Sequence, residues 1–321
     1  MKKTANRLGI LLLIICLLPI SAEATQLLVP VGELIGLQLS DGTVTVAQLD
    51  KTIDTASKAG LECGDQILQI DNTRITCAQD IHNALQRSDG TVHITVNRNG
   101  KQKKLTAQPA VTTDGPRLGV YLKEGITGVG TVSFYDPQTG KFGALGHGVN
   151  GRNGNLLQMT SGTAYEASIV SVKKGRVGTP GQLMGALDGA APLGVLSKNT
   201  NQGIFGTAAD AWKGQALPVG SKNDTKTGPA TIRSTVNNGT AQEYSVEILK
   251  IYPNGAEKGR NMLLRVTDQA LLATTGGIVQ GMSGSPIIQN GKLIGAVTHV
   301  LVNDPTTGYG IFIENMLDAA A

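Results

Sequence analysis

The sequence predicts a mainly β chain in two domains behind an export signal. Glycine is frequent, 42 of 321 residues, while aromatics are few at 3% and charge is modest. Short apolar runs separated by glycine turns recur over the last two hundred or so residues, the pattern of one barrel or sandwich domain. Helical spacing is confined to Asp80–Arg87, where Ile81, Ala84 and Leu85 fall at i, i+3, i+4, and to the C-terminal stretch Ile313–Leu317.

The N-terminus carries the export signal. Lys2, Lys3 and Arg7 form a positive region, Gly9 to Ile20 is an apolar run, and Ala22-Glu23-Ala24 has the A-x-A form of a cleavage site. The run is shorter than the ~20 residues that span a bilayer as a stable helix. The segment 1–24 therefore reads as a cleavable signal peptide or as an uncut N-terminal anchor. In both cases the rest of the chain lies outside the cytoplasm. The formal charge of +4 falls to +2 without Lys2, Lys3, Arg7 and Glu23. That excludes a nucleic-acid surface, which needs clustered Lys and Arg. Lys101-Gln102-Lys103-Lys104 is a solvated hairpin. Cys16 falls in the signal. Cys63 and Cys77 remain as an even pair in an exported chain, either bridged or as buried free thiols. No histidine stands beside them, so they are not a metal site.

The first domain runs over 27–110. A glycine-punctuated turn and strand, Val29 to Leu39, leads to Val44-Thr45-Val46, then Ala59-Gly60-Leu61 and Gly64 to Ile75. The segment Asp80–Arg87 is helical, and Val92 to Val96 alternates as a strand before a turn at Asn99-Gly100. This order resembles a PDZ domain, above all in Ala-Gly-Leu followed by Gly-Asp-Gln-Ile-Leu-Gln-Ile. The resemblance implies that an extended peptide pairs with a sheet edge and that a loop holds its terminus. The residues in that place are Glu33, Leu34, Ile35 and Gly36. The alternative is a small α+β domain that only packs on its neighbour.

Residues 111–117 read as a linker and 118–317 as the second domain. Its densest motif is Gly276 to Val300, centred on Gly281-Met282-Ser283-Gly284-Ser285-Pro286. A nucleophilic serine needs an exposed turn whose backbone N–H groups aim at the oxygen that becomes negative, and glycine permits that approach. Gln289-Asn290-Gly291-Lys292 closes a hairpin behind it. Upstream, His147 stands between Gly146 and Gly148, open enough to act as a base. Asp268 ends the strand-like run Leu263 to Thr267. Serine is a poor nucleophile until an imidazole takes its proton, and a carboxylate orients that imidazole. The candidate set is thus His147 as general base, Asp268 as the acid and Ser283 as nucleophile. The N–H groups of Ser283 and Gly281 (or Met282) form the oxyanion hole. Ser285 beside proline is the weaker nucleophile candidate, and His299 is structural or pocket-lining. This chemistry requires neither a metal nor an organic cofactor.

Gly-x-Ser-Gly-x-Pro and the order His, Asp, Ser resemble the chymotrypsin-like serine peptidases. Longer motifs are more specific. Phe134-Tyr135-Asp136-Pro137, Phe142 to Gly148, Gly276 to Lys292, and Gly295 to Val300 with Asn303-Asp304-Pro305 resemble the stage IV sporulation protein B peptidases of endospore-forming bacteria. The match extends over signal, PDZ and peptidase regions. It implies a chymotrypsin-like β-barrel serine endopeptidase acting between mother cell and forespore. It also implies self-cleavage and cleavage of a membrane-bound regulator of an intramembrane protease, so that a late sigma-factor precursor is processed. The alternative is a non-catalytic PDZ scaffold whose serine loop is inert.

Overall fold

The computed structural model describes residues 26–151, 153–237, 239–253 and 260–321. The expected export signal lies outside them. In chain order the elements begin with β1 (Leu27–Pro30) and β2 (Leu34–Leu49). Next come α1 (Thr55–Lys58), β3 (Gln66–Ile70), β4 (Thr73–Arg74), α2 (Ala78–Gln86), β5 (Val92–Arg98) and β6 (Lys101–Ala107). A small hairpin, β7 (Ala110–Thr112) and β8 (Gly115–Arg117), precedes β9 (Val120–Tyr135). There follow β10 (Lys141–Ala144), β11 (Ser161–Lys173), β12 (Gln182–Thr200), β13 (Gly203–Ala208), β14 (Leu217–Pro218), β15 (Gly228–Ser234), β16 (Gln242–Ile251) and β17 (Met262–Val266). The chain ends with α3 (Gln269–Thr275), β18 (Pro286–Gln289), β19 (Lys292–Leu301), β20 (Asp304–Phe312) and α4 (Ile313–Ala320).

The described residues contain two closed barrels. In the first, β2, β9, β10, β13, β12 and β11 pair in a ring, each antiparallel to the next. Ile35, Leu37, Leu39, Val132, Phe142, Leu196 and Ile204 fill it. The second closes in the order β15-β16-β17-β20-β19-β18 around Ile232, Val246, Ile248, Leu264, Ile287 and Val297. Strand alternation accounts for these cores. In β16, Tyr244, Val246 and Ile248 are buried while Ser245 and Glu247 face water. At the hairpin tips, Asn99-Gly100 and Asn290-Gly291 take positive φ at both positions, as two-residue hairpins require.

The boundary between the domains differs from the sequence expectation. β2 and β9 are sixteen residues each and pair from Leu34 opposite Thr131 to Leu49 opposite Val120. Their Leu34–Leu39 and Ile126–Thr131 ends belong to the first barrel. Their far ends join β3, β5 and β6 around the separate core of Ile67, Ile70, Ile81, Leu85, Ile94 and Val96. The PDZ unit is thus inserted into the barrel on a two-stranded ribbon. Of residues 27–39, expected in the PDZ domain, Leu34–Leu39 is a strand of the first barrel and Leu27–Pro30 pairs on β9 and β14 beside it, because Val29, Val31, Ile35, Leu37 and Leu39 complete that core. The 111–117 linker is largely the β7–β8 hairpin.

Within the PDZ unit, Asp65 is fully buried and receives two bonds of 2.6 Å from Arg98, through Nε and Nη2. Burial works against the Asp65 carboxylate, and Arg98 and the N–H of Glu62 outweigh it, so its pKa falls below the ordinary value. Cys63 is exposed and Cys77 half-buried, and both are free thiols.

Candidate active site

His147 follows β10 at a sharp turn. Leu145 and Gly146 both take left-handed φ, at 69° and 68°. A non-glycine residue there is uncommon, and such backbone is held only when its surroundings fix it. A Cβ on Gly146 would come within 2.9 Å of the Thr298 side chain, so glycine lets this turn lie against β19. The His147 Nδ1–H donates to the Gly148 carbonyl at 3.0 Å. A carbonyl only accepts, so the bond fixes the tautomer and leaves the lone pair on Nε2. Burial lowers the His147 pKa, with the Gly148 carbonyl pulling the other way.

Ser283 lies in a turn flanked by Gly281 and Gly284, with φ of 100° and 99°. Its hydroxyl donates to the Thr298 carbonyl at 2.7 Å. Among the described residues the N–H groups of Gly281 and Ser283 have no backbone acceptor, whereas those of Met282, Gly284 and Ser285 are bonded to Val279, Val297 and Met282. The two expected oxyanion donors are the two left unclaimed. Ser285 is fully buried and its hydroxyl donates to that of Ser234 at 3.0 Å, which makes it a core residue.

His147 and Ser283 line one cavity of about 480 Å³. Its walls come from both barrels, including Leu37 and Val129 from the first and Val279 and His299 from the second; among the described residues no Asp or Glu lines it. The His299 ring lies 5.1 Å from that of His147, centre to centre. Its Nδ1 is buried without a partner. Burial, then the neighbouring His147 and Arg260, push its pKa down to about 4. Both imidazoles are therefore neutral at neutral pH.

Asp268 is elsewhere. It is the N-cap of α3, its Oδ1 accepting from Leu271 N at 2.9 Å and its Oδ2 from Ser245 N at 3.4 Å. It does not line the cavity, and among the described residues His147 has no carboxylate partner. The structure thus brings two of the three expected residues together. The physical reason is local: Asp before Gln269-Ala270-Leu271-Leu272 is a helix start, and an acidic oxygen there satisfies orphan N–H groups. The residue that supports the histidine arm instead is Asn199, at the end of β12. Its Oδ1 accepts from Val149 N at 2.9 Å, and its Nδ2 donates to Val149 O and Leu157 O at 2.8 and 3.0 Å. No sequence motif marks it.

The expected peptide-binding residues are also placed differently. Glu33 accepts a bond from the Trp212 indole at 2.9 Å. Leu34 and Ile35 are buried, and β2 is paired with β9 on one side and β11 on the other through Gly36. An added strand needs an unpaired edge. The PDZ unit offers one on β9 over Val120–Lys123, whose only strand partner among the described residues is β2, beside β8 where it packs on α2.

Residues 114–317 match the model of the SpoIVB peptidase S55 family. The chain belongs to that family. Residues 34–108 match the PDZ domain model. This SpoIVB-family chain is a serine endopeptidase carrying a PDZ domain. Among solved structures, it is similar to the active form of the Rv3671c protease from M. tuberculosis, at 16% identity over 60% of this chain and 73% of that one, with a TM-score of 0.34. It is also similar to AlgW, an HtrA-type protease with a decapeptide, at 10% identity over 89% of this chain and 62% of that one, TM-score 0.38. The PDZ domain of an SdrC-like protein from Listeria monocytogenes matches at 24% identity over 25% of this chain and 85% of that one, TM-score 0.22. A search of curated proteins found no match.

Proposed function

We propose that this peptidase works outside the cytoplasm in sporulation signalling, between mother cell and forespore. It cleaves itself and a membrane-bound regulator of an intramembrane protease, and so permits processing of a late sigma-factor precursor. The family membership supports this reading, together with the export signal in the sequence. No cofactor takes part. The PDZ unit holds a peptide terminus of a substrate or partner, and the β9 edge is its docking strand.

One observation carries the mechanism. His147 and Ser283, far apart in sequence, line one cavity, with two unclaimed N–H groups at the serine. Ser283 Oγ turns about χ1 from the Thr298 carbonyl toward His147 Nε2, a change between staggered rotamers. Catalytic hydrogen bonds commonly tighten only with substrate present. Nε2 takes the hydroxyl proton as Oγ bonds to the scissile carbonyl carbon. The carbonyl oxygen becomes negative and is held by Gly281 and Ser283 N–H. The imidazolium, still bonded to Gly148 O, gives the proton to the leaving amine. Water then repeats the sequence on the acyl-enzyme and restores Ser283. Asp268 acts at α3 rather than on the imidazole in this scheme.

The test is a time course of the purified full chain with the membrane-bound regulator in vesicles. Both should shorten with the parent chain, and neither with Ser283→Ala or His147→Ala. An intact regulator beside a self-cleaving chain would overturn the signalling role and leave the peptidase. If nothing shortens, the PDZ scaffold takes its place.

A further inference from the structure

Thr131 of β9 touches both arms of the site. It is fully buried. Its N–H donates to Ser283 O at 3.0 Å and its Oγ1 donates to Gly281 O at 2.8 Å. Its own carbonyl accepts from Leu145 N at 3.2 Å, two residues before His147. Gly284 packs so close that a Cβ there would meet Thr131 O at 2.0 Å.

A peptide plane carries C=O of one residue and N–H of the next on opposite sides. The plane between Gly281 and Met282 is therefore held at both ends, by Thr131 Oγ1 on the carbonyl and by Val279 O on the N–H. The plane between Ser283 and Gly284 is held likewise, by Thr131 N and Val297 O. The plane between them carries the Ser283 N–H. Its Met282 carbonyl accepts from Ser285 N at 3.0 Å and both neighbouring planes are pinned, so the Ser283 N–H stays unbonded. The preceding plane, which carries the Gly281 N–H, is fixed through Leu183 N on Gln280 O. Three of these four anchors from outside the loop are backbone groups that any residue would supply. The fourth is the Thr131 hydroxyl.

We propose that Thr131 is a positioning residue of the oxyanion hole, its hydroxyl holding the Gly281–Met282 plane so that the Ser283 and Gly281 N–H groups converge on one point. The inference rests on Ser283 as the nucleophile. Without the hydroxyl, Gly281 O is a buried acceptor with no donor, and the plane gains a reason to turn toward another. The N–H groups then aim less well, and the loss falls on the charged intermediate rather than on the bound ester or amide.

The experiment uses the full chain with p-nitrophenyl butyrate as acyl probe and phenylboronic acid as a mimic of the tetrahedral species. Thr131→Val keeps the backbone bonds and most of the volume. It should lower kcat on the order of tenfold or more, a fraction of the loss on deleting one oxyanion donor. KM should stay within about twofold, and boronate affinity should weaken in parallel with kcat. Thr131→Ser, which restores the hydroxyl, should recover most of both. Unchanged kcat and boronate affinity in folded Thr131→Val would overturn the proposal. So would a loss that Thr131→Ser fails to recover while remaining folded. A parent chain inert to the ester and to fluorophosphonate would instead remove the nucleophile assignment itself.

Discussion

The two arms of the site are built in opposite ways. On the nucleophile arm, each peptide plane from Gln280 to Gly284 is tied to backbone or to Thr131, the one bearing the Ser283 N–H through its Met282 carbonyl alone. On the histidine arm, Leu145 and Gly146 are left-handed, the imidazole is bonded among the described residues only to the next residue's carbonyl, and Val149 is clamped by the distant Asn199 amide and by Leu157 N. The nucleophile arm is therefore rigid through many bonds. The base arm is held by Thr131 O on Leu145 N, by Leu157 N on Val149 O and by the Asn199 amide, and among the described residues its imidazole has no carboxylate behind it. The chain can lose precision at the histidine far more easily than at the serine.

Removing that clamp should give the largest effect. In Asn199→Ala, three hydrogen bonds vanish from the segment after His147, and a misplacement near 1 Å costs roughly 100-fold in rate. Fluorophosphonate labelling of Ser283 should slow by about 10- to 100-fold. Asn199→Asp, which keeps the acceptor for Val149 N but loses both donors, should fall between. Equal rates in all three would mean that the histidine arm is held by something other than this amide.

The paired imidazoles give a pH signature of intermediate size. Both have folded pKa values below the unfolded value of about 6.5. The unfolded chain therefore binds protons first as pH falls, and stability present above about 6.5 is lost toward the folded value, about 4 for His299. The Tm should drop between pH 7 and pH 4.5, and His299→Phe should flatten part of that drop. The acid limb of ester hydrolysis should fall with a midpoint below about 6.5, since His147 must be neutral to act. A limb centred above that value would place the base in a different environment.

The smallest effect is expected at Asp268. Deleting an N-cap costs about 1 kcal/mol of stability. Asp268→Ala should lower Tm by a few degrees and leave Ser283 labelling within threefold. A drop near the 10⁴-fold seen when a triad carboxylate is lost would require Asp268 to reach His147 in the working enzyme.

The same contrast explains what could be read from the sequence. The nucleophile turn, the Asn290-Gly291 hairpin and the glycines around His147 are local, because positive φ and close approach demand particular residues at particular positions. The PDZ pattern of Gly64 to Ile70 was legible for the same reason. Asn199 and Thr131 act only through pairings closed by the barrel, and an Asn at a strand end or a Thr inside one is otherwise unremarkable. Val29 to Leu39 reads equally well as a PDZ strand or a barrel strand, since alternation sets the burial of a strand and not its partner. At Asp268 the helix-cap pattern and the triad order competed for one residue, and the nearer partners hold it.

The most direct test of a serine and histidine acting without a touching carboxylate is site-mapped fluorophosphonate labelling of the full folded chain. One residue should be labelled, Ser283, with Ser285 untouched, labelling abolished in His147→Ala and retained in Asp268→Asn. Labelling at another serine, or an Asp268→Asn chain as inert as His147→Ala, would contradict that mechanism.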